Sequence, residues 1–122
     1  EKRMTSLEQA KEIVKVMDKM KAKDIRLINI HEISSLGDYF AIASASNTTQ
    51  VKAIADEIED QMTKQGIEPN RVEGRQSAQW ILLDYYDVMV HIFLEEARNF
   101  YNLERLWSDA PQVDISDLLT RD

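Results

Sequence analysis

Apolar residues along this chain fall into two periods. Leu7, Ala10, Ile13, Val14, Met17 and Met20 recur every three or four positions, which predicts an amphipathic helix over about 6–21. Thr5-Ser6-Leu7-Glu8 and Ser6-Leu7-Glu8-Gln9 both fit a capping box at its start. Lys19, Lys21 and Lys23 lie near its end, where cations complement the helix dipole. Val51, Ile54, Ala55, Ile58 and Met62 form a second stripe behind a cap at Asn47 or Thr48, and Gly66 ends it. Shorter runs read as strands at about 24–30, 39–45 and 71–73, the last closed by Gly74. Two more, over 80–84 and 88–94, are joined by the tight turn Tyr85-Tyr86-Asp87. A third helix is expected from Glu95 to Trp107. Pro111 marks its limit, and 114–122 reads as a loose acidic tail with at most one short turn.

Strands interleaved with helices predict an α/β fold: a single domain with a mixed β-sheet flanked by helices. The domain is expected over 1–109, with 1–5 an appended or flexible start and 110–122 an acidic C-terminal tail. The first two helices each bury one stripe and should share one face of the sheet, leaving part of the other face free.

Alternation sharpens the picture at 80–84. Trp80, Leu82 and Asp84 point to one side; Ile81, Leu83 and Tyr85 point to the other. The aliphatic Ile81 and Leu83 suit the helix-covered core, which leaves Trp80 and Leu82 on the freer face. A Trp–Leu pair beside Tyr and Asp has the composition of a binding hot spot. The competing reading has the last helix cover this face and makes Trp80 core. Both tryptophans, three of the four tyrosines and two of the three phenylalanines lie between 80 and 107. Within that stretch Phe100, Tyr101, Leu103, Leu106 and Trp107 read as core of the third helix.

Composition then narrows the chemistry. The 122 residues contain no cysteine, so disulfides, thiolate catalysis and thiolate metal sites are excluded. No apolar run approaches the roughly 20 residues of a membrane span, and the polar amino end does not read as a secretory signal. The net charge is −7, with seven acids and three bases in residues 95–122. Tight nucleic-acid binding depends on Lys and Arg releasing counterions, so direct binding to RNA or DNA is not expected. A basic protein partner suits the charge better.

Candidate catalytic groups are sparse. The three glycines, Gly37, Gly66 and Gly74, are too far apart for a phosphate loop. His31 and His91 have no ligand-spaced companions, and His91 in mid-strand reads as a structural histidine. Asp38, Asp84 and Asp87 stand at strand ends, where converging carboxylates could hold a divalent metal. Two carboxylates on one strand need an Asp-x-Asp spacing to point the same way, and Phe40 stands two after Asp38. Asp84 and Asp87 bracket a turn, an ordinary place for Asp.

Several segments, taken in order, carry a family resemblance. They are Asp24-Ile25, Ser35 to Ser44 with its Leu-Gly-Asp-Tyr-Phe core, Gln50-Val51, Ala55-Asp56 and Glu73-Gly74. They continue through Trp80 to Phe93 and Arg98 to Trp107. From about Asp24 to Asp109 the chain resembles the ribosomal silencing factors, the RsfS or Iojap family. Tyr86 departs from the small or polar turn residue more usual there, and Ala97 stands just before the arginine. The resemblance implies a nucleotidyltransferase-like fold without its catalytic carboxylate pair. It also implies a non-enzymatic translational repressor with no cofactor or metal. The partner would be the large ribosomal subunit through ribosomal protein L-fourteen, with joining of the small subunit blocked and translation damped in starvation. A cytoplasmic location and a possible homodimer go with it. The expected contact surface is Trp80, Leu82, Asp84, Tyr85 and Asp87, with His91 and Glu73 adjacent. The alternatives are a metal-dependent nucleotidyltransferase-like enzyme using Asp38 and Asp84, and a dimeric scaffold with another partner.

Overall fold

The computed structural model describes residues 4–32, 35, 37–101, 105 and 108–120, with no side chains described at 100 and 101. The first helix, α1 (Ser6–Lys19), starts from Thr5. Thr5 Oγ1 accepts from the Glu8 N–H at 3.1 Å, and Glu8 Oε1 accepts from the Thr5 N–H at 2.8 Å. This reciprocal box satisfies two backbone donors that a helix start otherwise leaves open. The helix ends at Lys19, two residues before the expected 21, and the chain then turns at Lys21, whose φ is +61.

Strands β1 (Lys23–Asn29) and β2 (Tyr39–Ala45) precede α2 (Thr48–Lys64). Asn47 caps α2, its side chain accepting from the Gln50 N–H at 2.8 Å. Then come β3 (Arg71–Glu73), β4 (Trp80–Asp84), β5 (Val88–Leu94) and α3 (Glu95–Tyr101). Apart from the first strand, which starts and stops one residue early, the strand ends are those the sequence predicts. Of the remainder of the expected third helix, Arg105 is helical and exposed, and 102–104, 106 and 107, with Leu103, Leu106 and Trp107 among them, lie outside the described residues, as do the side chains of Phe100 and Tyr101.

The strands form one mixed sheet in the order β1-β2-β5-β4-β3. Only β2 and β5 run parallel; the other three pairs are antiparallel. Ala10, Ile13, Val14 and Met17 of α1 and Val51, Ile54, Ala55, Ile58 and Met62 of α2 are sealed in one core. Leu27, Ala41, Ala43, Ile81, Leu83, Val90 and Ile92 join them there from the sheet. The small Ala41, Ala43 and Ala45 of β2 let α1 and α2 lie close to the strand. At about 25 cal/mol per Å² of apolar surface removed from water, this layer is the main source of stability.

The opposite face holds a second, smaller core of Ile28, Ile30, Phe40, Ile42, Met89, Phe93, Ala97 and Ala110. Helix α3 packs here on β2 and β5. Two helices on one face match the expected layering, and α3 packs on the other.

The C-terminal segment is not a loose tail. Gln112 forms a bridge with Ile28, the Asn29 N–H donates to Pro111 O at 2.8 Å, and the Val113 N–H donates to Leu27 O at 2.8 Å. The segment thereby covers the outer edge of β1, whose N–H and C=O groups would otherwise be open to pairing. Beyond it Ile115 is buried against the α1 side, Ser116–Leu118 make a 3-10 turn, and the Thr120 hydroxyl donates to Asp18 Oδ2 at 2.6 Å. Sparse apolar residues hid this: one bridge and one buried isoleucine give no period to read.

Candidate functional site

Strand register decides which expected contact residues meet. Leu82 pairs with His91 on one side and with Glu73 on the other, and Trp80 pairs with Phe93. Asp84 pairs with Met89, which pairs in turn with Phe40. Paired residues share a face. Trp80, Leu82, Asp84, His91 and Glu73 therefore stand together on the side of the smaller core. Tyr85 does not: alternation continues one residue past the strand and turns it into the helix-side core, where it is 3% exposed. Its expected place on the contact surface is corrected accordingly. Asp87 is exposed in the β4–β5 turn.

Within the shared face the side chains differ in access. Trp80 and Leu82 are half-buried against the smaller core, whereas Ile81 and Leu83 between them are sealed on the other side. Trp80 stacks on Phe93, ring centroids 4.9 Å apart and planes 27° apart. Its indole Nε1–H donates to His91 Nδ1 at 3.0 Å. His91 in turn meets Phe40 edge-on at 4.7 Å. Such geometries suit ring quadrupoles. Burial pulls the His91 pKa down to about 3, so the ring is neutral.

Asp84 is 7% exposed and serves the turn. Its Oδ1 accepts from the Tyr86 N–H at 2.8 Å; its Oδ2 accepts from Arg71 Nε at 3.1 Å and from Asn70 Nδ2 at 3.4 Å. Arg71 also bonds Glu73 at 2.9 Å, so Glu73 is exposed but engaged. The turn projects Tyr86, which is 64% exposed at φ +69. Sequence reasoning placed Tyr86 in the tight turn and noted it as a departure from the family pattern, without naming it for the contact surface. Its position at the centre of a two-strand turn was the signal that it would stand out from the surface.

The start of β4 is fixed from below. Gly74 has φ +83, and a Cβ there would collide with the Trp80 carbonyl, so the 74–79 loop passes close under the tryptophan only as glycine. Arg75 anchors the same loop to α2 through Asp56 and Glu59.

Asp38, the other carboxylate weighed for metal chemistry, is engaged elsewhere. Its Oδ2 accepts from the Ser6 hydroxyl at 2.9 Å, and its Oδ1 bonds His31 Nδ1 at 2.7 Å. The His31 hydrogen bond is the main cause that lowers the Asp38 pKa, and the same bond raises that of His31. Among the described residues no group of three His, Cys, Asp or Glu side chains is placed to hold a metal ion.

The family model described as "Ribosomal silencing factor during starvation" matches residues 3–122. The chain belongs to the RsfS family. It is 44% identical over 98 residues to a ribosomal silencing factor RsfS of Bacillus subtilis, covering 80% of this chain and 83% of that one. It is 40% identical over 107 residues to one from Halalkalibacterium halodurans, covering 88% and 92%. A crystal structure of a protein from Chromobacterium violaceum shares the fold with a TM-score of 0.84 at 30% identity, covering 86% of this chain and 88% of that one. The RsfS match extends through the C-terminal segment that lies along β1.

Proposed function

We propose that this RsfS chain represses translation by binding the large ribosomal subunit through ribosomal protein L-fourteen and keeping the small subunit from joining. Membership of a family of starvation-time ribosomal silencing factors supports a regulatory role on the ribosome. The resemblance drawn from sequence supplies the partner protein and the joining step. The observation that carries the contact surface is the half-open row of Trp80 and Leu82, flanked by the exposed Glu73, Asp87 and Tyr86. An aromatic anchor ringed by polar groups is the usual anatomy of an interface centre. A net charge of −7 favours a basic ribosomal protein over RNA as the direct contact.

The mechanism is steric. A bound domain occupies space that the small subunit needs, and no bond is made or broken. Asp38 and Asp84, the carboxylates an enzyme reading would use, are held by Ser6 and His31 and by Arg71 and the Tyr86 N–H. The protein acts in the cytoplasm, and a homodimer built on the same apolar face would compete with the ribosome for it. Light scattering of subunit joining tests the reading. Preincubation with the protein should slow association of large and small subunits, and unchanged association at saturating protein would refute it.

A further inference from the structure

The β4–β5 turn holds its central residue in a conformation that its type does not favour. Tyr86 has φ +69, and the Asp87 N–H donates across it to Tyr85 O at 2.8 Å. That is a γ-turn of the positive-φ kind, which is rare and strained. For a bulky L-residue the left-handed region crowds Cβ against the backbone, and glycine or asparagine is the ordinary choice. The surroundings keep Tyr86 there. Asp84 Oδ1 accepts its N–H at 2.8 Å, and the Tyr85 N–H donates to Val88 O at 3.0 Å. From the neighbouring loop, the N–H groups of Asp38 and Tyr39 both donate to Asp87 O, at 2.7 and 3.1 Å. Gly37 lies so close that a Cβ on it would meet Tyr86 O at 3.0 Å.

The tyrosine ring does not serve the fold. Tyr86 is 64% exposed, the one exposed large apolar side chain among the described residues. Among those residues its ring stacks on no other ring and its hydroxyl bonds no group. A strained conformation that its surroundings over-determine marks binding and catalytic elements. The chemistry beside the ring names what it would bind. Asp87, next in the chain, is exposed, and its carboxylate has no bond among the described residues. An electron-rich ring face next to a free carboxylate suits an arginine or lysine side chain. The turn also stands at the end of the Trp80–Leu82 row. At about 3.3 Å per residue, Tyr86 is at most about 20 Å from Trp80. An interface of about 800 Å² per partner is roughly 30 Å across, so one partner covers both.

We propose that Tyr86 is a second aromatic anchor of the ribosomal contact, held out by the strained turn to receive an arginine or lysine side chain of the partner protein on its ring face. This rests on the Trp80–Leu82 face being that contact. A net charge of −7 suits a cationic group. A turn fixed in advance reduces the ordering that binding must impose.

Three substitutions at this one position test it, each followed by thermal melting and by affinity for purified large subunits. Tyr86→Asn suits the positive φ and removes the ring. Tyr86→Leu keeps apolar bulk without a ring face, and Tyr86→Phe keeps the face. Tyr86→Asn should melt at or above the wild type and bind about tenfold more weakly. Tyr86→Leu should bind as weakly as Tyr86→Asn, and Tyr86→Phe within about threefold of the wild type. The proposal is overturned if Tyr86→Asn or Tyr86→Leu binds like the wild type, or if Tyr86→Phe is as weak as Tyr86→Asn. A Tyr86→Asn that melts clearly below the wild type overturns it too, because the ring then serves the fold. Loss of binding in a folded Trp80→Ala beside full binding in Tyr86→Asn overturns this proposal and leaves the ribosomal reading standing. A wild type that does not bind large subunits overturns the reading and the proposal together.

Discussion

Asp84 and Tyr86 are tied by a 2.8 Å hydrogen bond from the Tyr86 N–H to Asp84 Oδ1, which holds the β4–β5 turn in its positive-φ form. The other carboxylate oxygen takes Arg71 from the neighbouring strand. Asp84→Ala breaks both contacts. It should cost about 1–3 kcal/mol, since a turn N–H loses its acceptor while the exposed Arg71 can turn to water. Thermal melting should show a drop in Tm of roughly 4–10 °C. An unchanged Tm would mean the carboxylate does not hold the turn.

Ile81 and Leu82 are chain neighbours on opposite faces and should separate stability from binding. Ile81 is fully sealed among the helices, so Ile81→Ala should destabilise by about 2–5 kcal/mol in urea unfolding. Leu82 is half-buried on the open face, and Leu82→Ala should cost about 1 kcal/mol. Affinity for large subunits should fall with Leu82→Ala despite its intact fold. Equal stability losses at the two sites would contradict the assignment of faces.

Tyr85 lies in the helix-side core with a hydroxyl that has no hydrogen-bond partner among the described residues. Burial, and then the charges of Glu59 and Glu68, push its phenol up, so it stays protonated. Tyr85→Phe removes a desolvated hydroxyl and should leave stability unchanged or raise it by about 1 kcal/mol. Large-subunit binding should be unaffected. A marked loss of either in the melting or binding curve would show that the hydroxyl has a partner.

His31 and Asp38 form a pH-dependent contact. Asp38 has its pKa lowered below the ordinary 3.8, so its contribution is present above that value and is lost as pH falls through the lowered one. His31 has its pKa raised above 6.5, so its contribution is full below that value and is lost as pH rises through the raised one. The ion pair is therefore complete between these two ordinary values. An NMR titration of the His31 imidazole should give a pKa above 6.5 in the wild type and a return towards 6.5 in Asp38→Asn. A pKa that ignores Asp38→Asn would contradict the pairing.

Much of this was legible in the sequence, for physical reasons that differ by element. Clean stripes such as Val51, Ile54, Ala55, Ile58 and Met62 named both their helix and its buried face. Alternation in Trp80-Ile81-Leu82-Leu83 put Ile81 and Leu83 in the helix-side core and Trp80 and Leu82 on the opposite face, where the structure has them half-buried against the smaller core. The same alternation, carried one residue further, already placed Tyr85 inside. Its nomination as a contact residue came with the family resemblance, against that pattern. The bond between Trp80 and His91 was hidden because it needs the hairpin register, which sets the two diagonally across neighbouring strands. The pairing of Gln112 with Ile28 was hidden because it joins residues far apart in sequence without a repeating signal.

The central claim is that the Trp80–Leu82 face holds this RsfS protein on the large ribosomal subunit. Co-sedimentation of purified large subunits with the wild type and with Trp80→Ala, each first shown to be folded by circular dichroism, tests it most directly. Truncating a central aromatic anchor commonly costs about 2 kcal/mol or more, roughly 30-fold in affinity. The wild type should pellet with the subunits while the folded variant stays in the supernatant. A folded Trp80→Ala that pellets as fully as the wild type would contradict the claim.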